Sequence, residues 1–425
     1  MDDIPPPPLQ SPLTARFLRL SRPGGRPHVV VVSQNADLEL DIRPREEAIA
    51  LREAGFHVTL VGGAESPARV RELIGDEIDL ALFRMPSERR GALGQVVEQS
   101  AAFMRACGAL HAVFRAHSVD AVHSANPPDN LWLASAWLRL LHNSHHFVFD
   151  QHDVAPVLVA EKFGAKGVMG VVVGVAKWLE RMSYRRASLV VFANPEYQRR
   201  AGALGLLRSP GVVVPNGWRL PDGDISDEWR SGARYLVAYV GAINEQDCVE
   251  HLVESAAQLS VESVRFVVAG DGSALEAAKR RARELGVADA FSWLGWVRNR
   301  TSIASLVRSA DVCVLPEVDS PFNRLASFVK LTEYMSLGAM VVAHRLPQTE
   351  TVAGDTVAYA DDMSATALAR ALELLLRDPE LGKQLGGRAA LRFDDTIAWE
   401  HVGALSLVDA YRRLLETVPH VRPLT

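Results

Sequence analysis

Three residues around one predicted helix have side chains suited to binding an anion and a hydroxylated ligand. Lys330 and Glu333 lie three positions apart, so they occupy the same face of the helix. An ammonium group gives an anion a point charge, and a carboxylate accepts hydrogen bonds from two neighbouring hydroxyl groups. Ser327 stands at the start of this helix, where exposed backbone N–H groups favour an anion. The alternatives are an ion pair between Lys330 and Glu333, a solvent-facing glutamate and a simple helix cap.

Glycines follow two predicted strands in the same half of the chain. Gly241 comes directly after residues 235–240, where a glycine permits close approach of the backbone to an anion. Gly270 and Gly272 follow the next strand, at residues 264–269. Tight turns between strand and helix explain the same glycines without any ligand.

Polar side chains follow three predicted strands of the first half. His152 comes just after residues 147–150 and offers a ring N–H to a ligand hydroxyl group, although a structural histidine held by Asp153 is the alternative. The polar residues after the other two strands are Asn35, Asp37, Arg43, His123, Asn126, Asp129 and Asn130. We expect them to bind a second polar ligand, while Asn and Asp also occur in loops simply to form turns.

Short β-branched apolar runs alternate with helical patterns along the whole chain. The predicted strands are residues 28–32, 58–61, 79–83, 121–123, 147–150, 189–193 and 212–214 in the first half, and 235–240, 264–269, 291–294, 312–315, 340–343 and 357–359 in the second. Strands this apolar are buried on both faces, which is typical of parallel sheets covered by helices. The pattern predicts two doubly wound α/β domains in tandem, with ligands bound at the carboxyl ends of their strands.

The composition of the connecting segments predicts the domain boundaries. Residues 1–27 are proline-rich and are predicted to be a disordered tail, and residues 28–214 form the first domain. Residues 215–230 are rich in Pro, Gly and Asp and are predicted to be a linker to the second domain, residues 231–395. The final segment, residues 396–425, is predicted to be a helix that packs back on the first domain.

Charge and cysteine usage exclude several classes of protein. The net charge of −5 provides no global basic field, so nucleic acid is not an expected partner. The three cysteines, Cys107, Cys248 and Cys313, are far apart and have neither metal-ligand spacing nor a disulfide pattern. No signal sequence is apparent, and the most apolar run, residues 167–176, is too short to span a bilayer. We therefore expect a cytoplasmic protein without a metal site.

One segment of the first half combines apolar and basic residues. Residues 167–176 and Trp178 are apolar, and Glu180 is the one acidic residue of the segment 162–186. The basic residues of that segment are Lys162, Lys166, Lys177, Arg181, Arg185 and Arg186. Such a segment can rest among the headgroups of an anionic bilayer, which here would be the inner face of the membrane. The alternative is a core helix with a solvated basic end.

An ordered series of longer motifs covers residues 28–415. In the second half the motifs are VAYVGAINEQDCVEHL (237–252), FVVAGDGSAL (266–275), WLGWV (293–297), SADVCVLPEVDSPFN (309–323) and SFVKLTEYMSLGAMVVAH (327–344). In the first half they are DIRPREEAIALREAGFHVTLV (41–61), HSANPPDN (123–130), FDQHDVAPVLVAEKFG (149–164) and WLERMSYRRASLVVFANPE (178–196). The series resembles the bacterial group 1 glycosyltransferases of glycosyltransferase family 4, and the first half is similar to members that build envelope polysaccharides.

This resemblance implies a GT-B fold, in which two Rossmann-like domains face each other across a cleft. It also implies sugar transfer from a nucleoside diphosphate sugar with retention of anomeric configuration. The nucleotide sugar would be a co-substrate, and no other cofactor is implied. In the front-face mechanism favoured for such enzymes, the departing phosphate takes the proton of the acceptor, so no enzyme base is needed.

The resemblance also implies roles for the residues singled out above. Glu333 would hold the ribose diol and Lys330 the diphosphate, while His152 and Asn323 would contact the transferred sugar. His152, Lys330 and Asn323 are thus the expected catalytic residues. The remaining donor-binding residues would be Gly241, Asn244, Gly270, Gly272, Val297 and Ser327, with the backbone of Val297 beside the base. The acceptor-binding residues would be Asn35, Arg43, His123, Asn126, Asp129 and Asn130.

The chain departs from the family pattern at two places. Leu325 stands where many members have the first of two glutamates, and the basic pair of the loop after residues 235–240 is missing. Charge compensation of the diphosphate would then depend on Lys330, on helix N-termini and on Arg298 or Arg300. The leading interpretation is a transferase that acts on a lipid-linked acceptor in envelope or exopolysaccharide synthesis. The alternatives are a transferase with a small-molecule acceptor that tailors a secondary metabolite, and a catalytically silent scaffold of GT-B fold.

Overall fold

The computed structural model describes residues 25–86, 91–142, 144–164 and 166–416. Most of the predicted tail, residues 1–24, therefore lies outside the described residues. The chain divides into two compact units. The first runs to Val214 and also includes the residues from Ala404 onward, and the second is Pro215–Gly403.

The first unit contains a seven-stranded parallel sheet. Its strands are β1 (His28–Asp37), β2 (His57–Gly63), β3 (Asp79–Phe83), β4 (Ala121–Ala125), β5 (His146–Gln151), β6 (Leu189–Phe192) and β7 (Gly211–Val213). Their order across the sheet is β3-β2-β1-β4-β5-β6-β7. β1 and β4 are neighbours, with Val30 opposite Val122, and the strand order reverses between them. Polar side chains at the carboxyl ends of these two strands thus lie at a topological switch point, the usual ligand position in such sheets.

Eight helices belong to the described part of the first unit. They are α1 (Ile42–Glu53), α2 (Pro67–Ile74), α3 (Gly91–Ala116), α4 (Leu131–Leu141), α5 (Ala155–Phe163), α6 (Val168–Arg186), α7 (Pro195–Ala203) and α15 (Ala404–Glu416). Apolar residues of α3 and α4, including Leu110 and Leu138, pack on Val30 and Val122 of the sheet. The β-branched strands are buried on both faces, as the sequence pattern predicts.

The second unit contains a six-stranded parallel sheet. Its strands are β8 (Tyr235–Val240), β9 (Val264–Ala269), β10 (Phe291–Gly295), β11 (Val312–Leu315), β12 (Val341–Ala343) and β13 (Ala358–Tyr359), in the order β10-β9-β8-β11-β12-β13. The strand order reverses between β8 and β11, which gives this unit its own switch point. Two hydrophobic clusters cover the faces of the sheet: Val237 and Tyr239 belong to one, Leu236 and Ala238 to the other.

The helices of the second unit complete a doubly wound arrangement. They are α8 (Val249–Ala256), α9 (Leu275–Glu284), α10 (Arg300–Ser309), α11 (Val329–Ser336), α12 (Pro347–Ala353), α13 (Ala365–Arg377) and α14 (Pro379–Thr396). The prediction of two doubly wound parallel sheets is thus confirmed. None of the described helices is both long and apolar enough to cross a membrane.

The connecting segments are distributed differently from the predicted boundaries. Residues 215–230, predicted as a linker, belong to the second unit, where Trp218 packs against Trp399. Helix α14 ends at Thr396, and a short π-helical turn, Trp399–Gly403, precedes α15. Within the first unit, Tyr411 of α15 lies edge-on to Phe56.

Candidate functional site

Lys330 is the central cation at the switch point of the second unit. Its ammonium group donates a hydrogen bond of 2.7 Å to the hydroxyl of Tyr239, on β8. It also contacts two carboxylates, Glu317 at 2.5 Å and Asp247 at 3.1 Å. Glu317 lies two residues beyond β11, and Asp247 lies in the loop after β8, so both neighbouring strands contribute. Lys330 pairs with these residues rather than with Glu333.

The charges of this cluster are shielded from solvent. Burial disfavours the ammonium form of Lys330, but the adjacent Glu317 and Asp247 outweigh it and hold the pKa of Lys330 well above its usual value. Burial raises the pKa of Glu317, although Lys330 opposes that shift. One oxygen of Glu317, Oε2, has no hydrogen-bond partner within the described part of the chain. An unpartnered buried oxygen of this kind is costly and can be satisfied by a proton or a ligand.

Glu333 lies one turn after Lys330 on α11 and has a partner of its own. Its Oε1 is 3.1 Å from an Nη of Arg300, the first residue of α10. Burial raises the pKa of Glu333, and Arg300 opposes this shift. Only 12% of the Glu333 side chain is exposed, against 39% for Arg300. A carboxylate held in this way can accept hydrogen bonds from a diol while the guanidinium group remains beside it.

The helix that carries both residues begins later than Ser327. The residue preceding the first turn of α11 is Phe328, and it makes no side-chain cap. The hydroxyl of Ser327 instead accepts a hydrogen bond of 2.9 Å from the amide of Gln348. The cap interpretation of Ser327 is therefore wrong, and its donor-binding role stays a prediction.

Three glycines near Lys330 are explained by close backbone packing. A Cβ atom on Gly270 would lie 1.8 Å from the carbonyl oxygen of Gly241, and one on Gly272 would lie 2.4 Å from that of Ile243. Gly241 has φ of +151°, and its added Cβ would lie 3.0 Å from Cε of Lys330. Only glycine fits these positions, so the loops after β8 and β9 approach each other directly beside the Lys330 side chain.

Asn244 and Asn323 order the loop that carries Asp247. The backbone N–H of Asn244 donates to Asp247 at 3.1 Å, and its side-chain oxygen accepts from the backbone N–H of Ser273 at 3.3 Å. The amide of Asn323 donates to the carbonyl oxygens of Gln246 and Val318, each at 2.9 Å. Its own oxygen has no partner among the described residues. Asn323 is thus brought to the Lys330 cluster with an acceptor oxygen to spare.

Val297 packs among apolar side chains of the second unit. It is half-buried, follows β10 and packs against the hydrophobic cluster that includes Leu236. The nearby Trp296 is 54% exposed. The backbone contact between Val297 and a base stays a prediction.

Asp150, on β5 beside the switch point of the first unit, is the central anion of a second polar cluster. Arg43, on α1, donates to Asp150 through Nη2 at 2.8 Å and through Nε at 3.2 Å. His152, just beyond β5, contacts the same carboxylate through Nε2. Burial favours the neutral acid, but Arg43 and His152 outweigh it and hold the pKa of Asp150 well below its usual value. The histidine is thus held by Asp150 and not by Asp153.

A second anion, Glu47, completes the cluster. Glu47 Oε1 is 3.1 Å from Arg43 Nε, and Glu47 Oε2 is 3.0 Å from Nε2 of His123 on β4. The other ring nitrogen of His123 lies 2.9 Å from the hydroxyl of Tyr411, on α15. Burial lowers the pKa of His123, but Glu47 and Asp150 outweigh it and raise this pKa to about 9. The two carboxylates thus favour the imidazolium form of the buried His123 ring.

Three residues of this cluster have side chains of the types that ligate metal ions. Ligand atoms of Glu47, Asp150 and His152 lie within 4.8 Å of one another. The carboxylates of this trio already contact the cationic side chains of Arg43 and His123. The cluster is thus balanced by the protein's own cations.

The polar residues after β4 form a second, adjoining group. The amide of Asn126 donates to Asp129 at 2.7 Å, and its oxygen accepts from the backbone N–H of His152 at 2.6 Å. Burial raises the pKa of Asp129 to about 7. Asn130 precedes α4 without capping it through its side chain. Asn35 lies within β1, but its side chain is outside the described part of the structure.

Six residues of the two clusters are not among the site residues predicted from the sequence. They are Glu47, Asp150, Asp247, Glu317, Tyr239 and Tyr411. Two local signals point to members of this set: Glu47 lies four positions after Arg43 in a helical pattern, and Glu317 lies two residues after a predicted strand. Nothing local identifies Tyr411 as a partner of His123, because the two are joined only by the fold.

Family comparisons match most of the chain. Residues 41–217 match the family described as glycosyl transferase 4-like domain, and residues 234–378 match glycosyl transferases group 1. Alpha-D-kanosaminyltransferase from Streptomyces kanamyceticus is 26% identical over 230 residues, which are 51% of this chain and 58% of the relative. The match thus spans little more than half the length of that relative.

Solved structures of similar fold cover nearly the whole chain. Sucrose-phosphate synthase from Thermosynechococcus elongatus superposes with a TM-score of 0.71 at 19% identity, covering 92% of this chain and 100% of that one. HepE from Anabaena, solved in complex with UDP and glucose, superposes with a TM-score of 0.66 at 17% identity and equal coverage. The predicted GT-B class of fold is thereby confirmed.

Proposed function

The chain belongs to the group 1 glycosyltransferases, and on that premise we propose that it transfers a sugar from a nucleoside diphosphate sugar to an acceptor. The observation that carries this proposal is the polar cluster around Lys330 at the switch point of the second unit. It combines a buried cation, the carboxylate of Glu333 and glycines that bring backbone close to the Lys330 side chain. Those are the groups that a diphosphate linked to a ribose requires.

The donor would lie at the carboxyl ends of β8 and β11. Glu333 would accept hydrogen bonds from the ribose diol, Lys330 would face the diphosphate, and Asn323 would use its spare oxygen on the transferred sugar. UDP is the nucleotide bound by HepE, whose fold this chain shares, which makes it the first candidate. Arg300 lies beside Glu333 and adds a positive charge to this region.

Retention of configuration is part of the proposal. The departing diphosphate would take the proton of the acceptor, as the family resemblance implies. The state of Asp150 agrees with this route, because a carboxylate whose pKa is held well below its usual value is a poor proton acceptor. His152 would then contact the transferred sugar through a hydrogen bond and would not act as a base.

A nucleotide screen tests donor binding. We expect one of UDP, GDP, dTDP and CDP to raise the melting temperature of the chain. A nucleotide at 100 times its dissociation constant stabilises the folded state by about 2.7 kcal/mol. Adenosine without phosphate is the negative control. If none of the four nucleotides shifts the melting temperature, the proposed donor site is wrong.

The acceptor is proposed to be lipid-linked, at the cytoplasmic face of the membrane. Helix α6 exposes a stripe of four apolar residues spaced for one helix face: Val168, Val171, Val175 and Trp178, with exposures of 77%, 67%, 51% and 52%. We call these residues the α6 stripe. The opposite face of the helix is buried through Val173 and Tyr184. The six basic residues of the segment 162–186 are all exposed. Apolar contact and charge complementarity thus both favour an anionic lipid surface.

Vesicle binding tests this part of the proposal. We expect the chain to co-sediment with anionic phosphatidylglycerol vesicles at low salt and to bind these vesicles less at high salt. Neutral phosphatidylcholine vesicles should not bind it. The double variant Val171→Glu, Trp178→Glu should lose binding. Leu391→Glu, at an equally exposed apolar position of the second unit, should retain it. Equal and negligible sedimentation with both vesicle types would reject the membrane contact and support the soluble-acceptor alternative.

A further inference from the structure

Lys330 has no N–H left for a phosphate in its present contacts. An ammonium group has three hydrogen-bond donors. Three acceptors already lie within 3.1 Å of it: one oxygen each of Tyr239, Asp247 and Glu317. A phosphate oxygen can therefore reach Lys330 only if one of the three partners leaves.

Two of the partners are held in place by further hydrogen bonds. The hydroxyl of Tyr239 donates to the carbonyl oxygen of Ala242 at 2.6 Å. Asp247 accepts the backbone N–H of Asn244 at 3.1 Å through its second oxygen. Glu317 differs, because its second oxygen has no hydrogen-bond partner among the described residues and its side chain is only 1% exposed. Of the three partners, Glu317 is thus the one that keeps a carboxylate oxygen outside any hydrogen bond of the described residues.

We propose that the diphosphate of the donor displaces Glu317 from Lys330 and that Glu317 takes up one proton from the solvent as it does so. The inference rests on the proposed function, because it concerns the same nucleotide site. No covalent bond forms or breaks: Lys330 exchanges a carboxylate oxygen for a phosphate oxygen, and a proton from the buffer joins a carboxylate oxygen of Glu317. Glu317 is in this sense a positioning residue that keeps Lys330 in place before the donor arrives.

The local charges explain why a proton should enter. One ammonium and two ionised carboxylates leave the cluster with a net negative charge, which opposes the entry of a diphosphate. Protonation of Glu317 removes one of these charges and relieves the cost of a buried carboxylate that has lost its cation. Burial already raises the pKa of Glu317, and the loss of Lys330 as its partner would raise this pKa further. The other titratable groups that face it are Asp247 and Cys248 from the loop after β8 and Tyr239 from β8.

Calorimetry of nucleotide binding measures this proton directly. UDP, GDP, dTDP and CDP are titrated separately into the full chain at pH 7, in buffers with different heats of ionisation. The dependence of the binding heat on buffer should report uptake of up to one proton per nucleotide bound. Because the complex binds more protons than the free protein, affinity should fall as pH rises from 6 to 8, by up to about tenfold per pH unit.

Two variants separate Glu317 from other titrating groups. Glu317→Gln should abolish proton uptake and bind the nucleotide more tightly than the parent at pH 8. Glu245→Gln removes an equal charge from an exposed position of the loop after β8 and should leave uptake unchanged. Nucleotide binding by the parent without buffer dependence, or uptake that persists in Glu317→Gln, overturns the inference and leaves the proposed function standing. Failure of all four nucleotides to bind the parent overturns the proposed function and the inference together.

Discussion

Replacement of His152 by alanine is expected to slow sugar transfer about tenfold to a hundredfold. This is the effect of losing one hydrogen bond that involves a charged group. Burial opposes the charged form of His152, but Asp150 outweighs it and raises the pKa of His152. This shift favours the imidazolium form, which has two N–H donors, and the ring contacts Asp150 through Nε2. Its side chain remains 15% exposed, in contrast to that of Asp150. His152→Ala removes a charged donor from the site that we assign to the transferred sugar.

Nucleotide affinity should be unchanged in the same variant, because the proposed nucleotide contacts all belong to the second unit. The first unit should stay folded, since Asp150 retains its contacts with Arg43 and His123. Circular dichroism melting checks the fold, and His117→Ala, at an exposed histidine of the same unit, is the control. Transfer at the parental rate by a folded His152→Ala protein would make His152 a structural residue.

Replacement of Glu333 by alanine is expected to weaken nucleotide affinity by about 1.5–3 kcal/mol, or about tenfold to 150-fold. The carboxylate is nearly buried beside Arg300, so a diol that binds it gains hydrogen bonds with little competition from water. Its removal leaves the ribose hydroxyl groups without their acceptor. Isothermal titration of the parent and the variant with the nucleotide found in the screen gives the two dissociation constants.

A matched control excludes a general loss of negative charge. Glu350→Ala removes an exposed glutamate that pairs with Arg345 in the same unit, and we expect it to bind nucleotide as the parent does. Equal dissociation constants for Glu333→Ala and the parent would show that Glu333 does not hold the ribose. In that case the Arg300–Glu333 pair is a structural contact between α10 and α11.

The two sheets could be predicted from the sequence because the composition of short segments indicates each strand. Runs such as residues 235–240 and 312–315 are β-branched and apolar, and burial on both faces requires that composition. The spacing of Lys330 and Glu333 likewise predicts that both lie on one helix. Element boundaries were harder, because β1 continues to Asp37 and α11 begins only after Ser327.

The ion pairs and hydrogen bonds of the two sites could not be predicted from the sequence, because the order of strands and helices in the fold creates them. Lys330 contacts Asp247 because β8 and β11 are neighbours in the sheet, although β9 and β10 separate them in the sequence. His123 meets Tyr411 because α15 belongs to the first unit although it follows the second in sequence. The partners of a buried polar side chain depend on which strands and helices pack together. No local sequence pattern encodes that packing.

Release of nucleoside diphosphate from a nucleotide sugar tests the central claim most directly. The sugar nucleotide is chosen from the screen, and membranes or small hydroxylated molecules are supplied as acceptors. We expect acceptor-dependent release by the parent, slower release by His152→Ala, and a raised Michaelis constant for the donor in Glu333→Ala. Donor binding without any release in the presence of acceptors, or release that is equal in all three proteins, would contradict a transferase built on these two sites.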